Sequence, residues 1–347
     1  MKLLGTALLF LAGLSLCAAI PAAATNLAQD PPKPPDPSGG PAPKPVPPSP
    51  DGPEENRMRD SKAALRLAGV LPPNNEKTAK QYEALARWFE KELGRPIEVT
   101  PVPDAAAAIQ GFANNKFDAI WVDAIGAVKA EEATKRRCQP VLARVEDLGL
   151  TTYWVAAKRL VDDATFRAVE EKKPMSFEVL AGYKPKLSAL KFSFGSRNSL
   201  GTHAIPRFVM EQPAVGIDPE KAFREKPAYA GEGGEDALLA AVASGSIDLA
   251  VVGRGVWERA APELQAKAPV VFVSPEYANH CMMIHFRTGP AFPIRLIKAF
   301  LMLDPAKEDQ KAVLELLGAT KFVHARTNHL DGTRGVIQGL LERKLLD

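Results

Sequence analysis

Residues 31–53 read PPKPPDPSGGPAPKPVPPSPDGP, and no other stretch limits the fold as strongly. Proline fixes φ and removes the backbone donor, so a run composed almost wholly of Pro, Gly, Ser, Asp and Lys builds neither helix nor sheet ladder. It also carries too little apolar surface to offset the entropy of ordering. We therefore read 25–61 as a tether and expect the folded body to begin near Lys62. Upstream, Lys2, an apolar run over 3–17 and small residues over 22–24 describe an export signal within 1–24. That run is too short and too early to span a bilayer, and no other stretch of about 18 apolar residues occurs. Two processing readings stay open. Cleavage follows Ala24, or Leu14-Ser15-Leu16-Cys17 acts as a lipidation box with Cys17 as a lipid anchor, although leucine stands before the cysteine where a small residue is expected. Either way the expected location is periplasmic or extracytoplasmic, free or held by lipid.

The 347 residues are enough for two domains, and the formal charge of +3 offers no basic field for nucleic acid. From Lys62 onward the chain alternates apolar runs with helical periodicity. Strands are expected at 65–70, 97–102, 117–122, 141–145 and 152–157, with helices at 78–93, 105–113 and from about 124. A helix in two pieces around Pro174 is expected over 161–180, then strand 191–195, helix 235–243, strand 247–252, a short helix 256–260 and strand 270–273. A strand over 281–286 returns to the first layer, followed by helices near 294–303, 307–317 and 332–345. This rhythm predicts an α/β fold with two layers. Its simplest connectivity is bilobal, with 62–155 plus 275–347 as one lobe and 156–274 as the other.

Residues 191–211, KFSFGSRNSLGTHAIPRFVME, read as strand, polar loop and helix start, with Pro206 tolerated in the first helical turn. Such a turn presents the hydroxyls of Ser199 and Thr202 and unpaired amides at the positive end of a helix, which suits an oxyanion. The bland alternative is an ordinary capped turn.

Five stretches carry a resemblance. They are YEALARWFEKELG from Tyr82, FDAIWVDAIG from Phe117, NSLGTHAIP from Asn198, EDALLAAVASGSIDLAVVGRGVWE from Glu235 and KFVHARTNHLDGTRGVI from Lys321. In this order they resemble the phosphonate/phosphite/phosphate-binding family of ABC-transporter periplasmic binding proteins. The resemblance implies a type II-like fold of two hinged α/β lobes, closing on a small oxyanion and handing it to an inner-membrane ABC permease. It implies a monomer that needs no cofactor and does no covalent chemistry. Ligand contacts implied are Asn198, Ser199 and Thr202, with Tyr82 at the family's early tyrosine and Asp123 or Glu235 as counter-ion to an amine-bearing ligand. The residues themselves add His203 in the loop and Arg254 after the strand over 247–252 as donors to an anion, and Trp121 and Tyr153 as aromatic candidates, Tyr153 because it begins the presumed crossing between lobes. The chain also departs from the family. Leu200 and Gly201 stand where hydroxyl residues are expected, Asp123 replaces a small residue, Ala127 stands for an aromatic, and Glu235 for a histidine. Two added carboxylates repel an anion unless the ligand also carries a positive group or they point away.

Of the other features, His280 and His285 flank an apolar strand beside Cys281 but match no standard zinc spacing, and His324 and His329 read as surface or core-edge residues. GEGG at 231–234 lacks the phosphate-loop pattern, and GxSxG and HExxH are absent, so no enzyme signature appears. A ligand-binding receptor module for a membrane sensor is the rival function. Cys138 and Cys281 either pair or remain buried thiols.

Overall fold

The apolar runs become strands of two separate sheets. The structure, a computed structural model, describes residues 63–70, 76–325 and 329–346. The export signal, Cys17 and the tether lie outside the described residues, as does the side chain of Tyr82. The chain runs β1 (Leu65–Val70), α1 (Glu76–Leu93), β2 (Ile97–Val102), α2 (Ala105–Ala113), β3 (Ala119–Val122), α3 (Ala124–Ala133) and β4 (Cys138–Arg144). It continues with β5 (Thr152–Ala156), α4 (Arg159–Asp162), α5 (Phe177–Tyr183), β6 (Phe192–Ser193), a π turn (Leu200–Ala204) that runs into α6 (Ile205–Glu211), α7 (Pro219–Ala222) and α8 (Gly234–Ser244). Then follow β7 (Leu249–Gly253), α9 (Arg254–Arg259), α10 (Pro262–Lys267), β8 (Val270–Val273), β9 (Cys281–His285), α11 (Ala291–Leu301), α12 (Glu308–Leu316), β10 (Phe322–His324) and α13 (Asp331–Glu342).

Six strands form one sheet in the order β10-β4-β9-β3-β1-β2, and four form the other in the order β6-β7-β5-β8. In the first, β1 pairs parallel with β2 and β3, and β9 returns antiparallel between β3 and β4. In the second, β6 runs parallel to β7, while β5 lies antiparallel between β7 and β8. The sequence reading groups residues 152–157 with the first layer, and here the structure differs. All of β5 is buried, as a strand covered on both faces must be, and such a uniformly apolar run carries no signal of which sheet it joins. The helix expected over 161–180 survives only as α4 and α5. Between them Val169 N donates to Val270 O at 2.7 Å and Met175 N to Val273 O at 3.1 Å, so this charged segment runs along the free edge of β8.

Each sheet has its own aromatic packing. Trp88, Phe89 and Phe300 meet edge to face at 5.1–5.6 Å between α1 and α11. Trp154, Phe192, Phe194, Phe223 and Phe272 cluster around the second sheet. Burying one such ring contributes about 1.5–3 kcal/mol. Cys138 and Cys281 are buried free thiols.

The chain passes between the sheets along two antiparallel segments. Leu150 N donates to Tyr277 O at 3.0 Å and Tyr277 N to Leu150 O at 2.9 Å. Asn279 N bonds Asp147 O at 3.0 Å, and the buried Asp147 carboxylate accepts from Arg144 at 2.8 Å and from His280 Nδ1 at 3.1 Å. Helix α13 makes a third link. Arg334 reaches both oxygens of Glu131 on α3 at 3.0 Å, and Arg343 both oxygens of Glu211 on α6 at 2.9 Å.

Candidate functional site

The turn between β6 and α6 is built on a cap and two glycines. Ser199 keeps extended backbone, φ −90° and ψ 128°, and its Oγ accepts from Thr202 N at 3.1 Å. The Ser199 carbonyl accepts from His203 N at 3.2 Å and Ala204 N at 3.1 Å, the wide closure that makes the first turn a π turn. A helix leaves its first amides without intrahelical acceptors, and those of Leu200 and Gly201 have no acceptor among the described residues. A Cβ at position 195 would collide with Thr202 Oγ1, and one at 201 with the Tyr277 hydroxyl. Glycine at both positions is what lets the turn close this tightly.

The polarity of the turn differs from the sequence reading at Thr202. Its hydroxyl donates to Glu235 Oε1 at 2.7 Å, and Gly253 N donates to Glu235 Oε2 at 2.7 Å. The carboxylate at the start of α8 thus joins the turn to the end of β7. A threonine hydroxyl has one proton, so Thr202 offers only lone pairs to any further partner. Ser199, whose oxygen accepts in the cap, keeps its proton. The Tyr277 hydroxyl lies over Gly201, and burial, with Glu235 adding to it, pushes its ionisation upward. Thr152 lies beside the same glycine, and its buried hydroxyl has no partner among the described residues.

The remaining candidates fall into separate places. Asn198 is exposed in the loop. His203 is fully buried behind it. Its Nδ1–H donates to Arg197 O at 2.6 Å, and Nε2 accepts from Tyr229 Oη at 3.1 Å and Arg207 Nε at 3.3 Å. Both ring nitrogens are committed, so His203 braces the loop where the sequence reading made it a ligand donor. Burial pushes its imidazole down to about 4, which suits this neutral tautomer. Asp123 caps α3, its carboxylate accepting from Gly126 N at 2.7 Å. Trp121 is half-buried, edge-on to Phe322 with the Arg144 guanidinium 5.7 Å from its ring. Tyr153 is buried in the second sheet against Trp257, its hydroxyl 3.4 Å from Glu258. Arg254 is exposed and paired with the same Glu258 at 2.8 Å. Tyr82 belongs to α1.

The structure therefore gathers Ser199, Thr202 and Glu235 and leaves the other candidates apart from their contacts. Sequence reasoning missed Tyr277 and Thr152. The available signal was their place on the two segments flanking the crossing between layers. A cavity of about 310 Å³ that Tyr277 also lines, with Ile205, Phe208, Val209, His329 and Val336, is mainly apolar. No group of three or more metal-ligating side chains forms among the described residues. The arrangement suits non-covalent binding: donors from Ser199 and two amides stand beside acceptors on Thr202 and Glu235.

The chain is similar to known proteins in sequence and in fold. A family profile described as ABC transporter, phosphonate, periplasmic substrate-binding protein matches residues 68–330. A probable ABC transporter phosphite binding protein, PhnD1 of Prochlorococcus marinus (strain MIT 9301), is 25% identical over 272 residues, covering 76% of this chain and 85% of that protein. The solved structure of PhnD1 in complex with methylphosphonate superposes with a TM-score of 0.56 at 22% identity, over 80% of this chain and 98% of that one. A binding-protein component of a phosphonate ABC transporter from Pseudomonas aeruginosa gives a TM-score of 0.50 at 19% identity, over 81% and 87%.

Proposed function

Because the chain belongs to the family of periplasmic substrate-binding proteins of phosphonate ABC transporters, we propose that it captures a small oxyanion of phosphonate, phosphite or phosphate type between its two sheets and delivers it to an inner-membrane permease. It is a binding component and not an enzyme, and the family's place is outside the cytoplasm. Methylphosphonate, held by the Prochlorococcus protein in its solved structure, is the natural first probe.

One observation carries the reading. At the start of the helix after β6, the Ser199 hydroxyl and the amides of Leu200 and Gly201 stand together with no acceptor among the described residues. Amides at a helix N-terminus favour negative charge through both their hydrogens and the helix dipole. The Tyr277 ring and the crossing segments beside the turn supply low-dielectric surface, which strengthens those bonds.

The test is ligand-induced thermal stabilisation, which grows as RT ln(1 + [L]/Kd) and reaches about 2.7 kcal/mol at a hundredfold excess over Kd. Methylphosphonate, phosphite and phosphate should raise the Tm of the wild type. The double variant Ser199→Ala, Thr202→Ala should lose most of that rise. A double variant that responds like the wild type overturns the assignment of the turn.

A further inference from the structure

The bond from Thr202 to Glu235 reverses the polarity of half of the turn. Thr202 Oγ1 gives its single proton to Glu235 Oε1 at 2.7 Å, and Gly253 N fills a lone pair on Oε2 at 2.7 Å. A carboxylate has about four lone-pair sites, and these bonds occupy two. Glu235 is half-buried at the start of α8, so it is not sealed in the core. The turn therefore has a donor side, formed by Ser199 Oγ and the amides of Leu200 and Gly201, and an acceptor side, formed by Thr202 Oγ1 and Glu235. The two sides are held together closely, because Gly195 leaves no room for a Cβ between Thr202 and Glu235.

A ligand whose every polar atom is a bare anionic oxygen satisfies the donor side and is repelled at the acceptor side. An anion that also carries a hydrogen-bond donor satisfies both. We infer that Glu235, acting with Thr202, is a specificity-determining residue that selects oxyanions bearing a donor, either an acid hydroxyl on the anion itself or an ammonium on its substituent. The inference rests on the oxyanion reading of the turn. It explains how a carboxylate sits beside an anion site without abolishing it: the carboxylate bonds the ligand's hydrogen, not its charge.

Four ligands of matched size separate the terms in isothermal titration with the full-length protein. Ethanesulfonate carries no donor, ethylphosphonate retains an acid hydroxyl in its monoanion, taurine carries an ammonium, and 2-aminoethylphosphonate carries both. In the wild type, ethanesulfonate should bind at least about tenfold more weakly than ethylphosphonate or 2-aminoethylphosphonate, the scale of one hydrogen bond to a charged group gained or lost. Recovery by taurine assigns the donor to the amine, and no recovery assigns it to the acid hydroxyl. In Glu235→Gln, whose side-chain amide supplies a donor, ethanesulfonate should come within about threefold of ethylphosphonate. The inference is overturned if the wild type binds ethanesulfonate as tightly as the other three, or if Glu235→Gln leaves the ratio unchanged. If none of the four binds a wild type that melts cooperatively, the oxyanion reading itself falls, and this inference with it.

Discussion

Two strand-to-helix turns, one at each sheet, start from the same device and diverge. After β3, the Asp123 carboxylate accepts from Gly126 N at 2.7 Å; after β6, the Ser199 hydroxyl accepts from Thr202 N at 3.1 Å. Both satisfy an amide three residues on. The aspartate, however, places a negative charge on the positive end of its own helix, which favours that helix and disfavours a second anion there. The serine does the same capping with a neutral group that still has a proton to give. Behind the first turn lie Ala127 and Val128, both buried and apolar, while behind the second lies the buried polar ring of His203. A cap chosen for stability and a cap compatible with ligand capture thus differ by one ionisable group and by what braces them.

The sharpest way to break this comparison is to remove the brace. His203→Ala leaves the carbonyl of Arg197 and the donors of Tyr229 and Arg207 without their partner inside the core, and should cost about 3 kcal/mol in urea unfolding. A cost near that of an ordinary surface change would show that the ring does not support the turn. Acid offers a gentler probe of the same group. Because burial depresses the folded value of His203 to about 4 against an ordinary 6.5, the unfolded chain takes up its proton first as pH falls. The stability His203 contributes is thus full above about 6.5 and is lost as pH falls toward about 4. His285, also held at about 4 by burial, titrates in the same window. The expected result is therefore a shallower decline of Tm between pH 6.5 and 4 in His203→Gln than in the wild type. Asp147 stays out of this window. Burial opposes its ionisation, yet the Arg144 and His280 bonds hold it down at about 2, so its contribution is lost only as pH falls from 3.8 toward that value.

Next in size is the cap itself. Asp123→Ala and Ser199→Ala should each cost about 1 kcal/mol in urea unfolding. Only Ser199→Ala should also reduce the Tm rise given by methylphosphonate. Equal losses of that rise in the two variants would break the distinction between the turns. Smallest is Arg254→Ala, which removes an exposed pair with Glu258 and should change the unfolding midpoint by no more than a few tenths of a kcal/mol. A larger effect, or loss of ligand response, would return Arg254 to the site.

Much of this was legible in the sequence because it is local. Gly94 ends α1 with φ +59°, as a glycine stop predicts. The strand over 281–286 does return to the first sheet. The five short family-like stretches fall within or overlap the segment matched by the family profile. What escaped depends on distance along the chain. The bond between Thr202 and Glu235 spans 33 residues, and nothing near Thr202 says that its proton is already given away. His203 reads as a ligand donor because it lies in the loop, yet the first helical turn carries its ring inward, onto Phe194 and Tyr229 at 4.9 Å. Tyr153 reads as a candidate because it begins the presumed crossing between lobes and Trp121 as a strand aromatic, and period-2 alternation alone does not say which face of a strand meets a ligand. The sheet joined by β5 escaped for the same reason, since a strand apolar on both faces fits either layer.

Tyr277 belongs at once to the paired crossing, through its backbone bonds to Leu150, and to the turn, through its hydroxyl above Gly201. On the proposed reading, a guest that settles on that glycine bears on the seam joining the two halves without any intervening side chain, and the fingertip and the knuckle are a single residue.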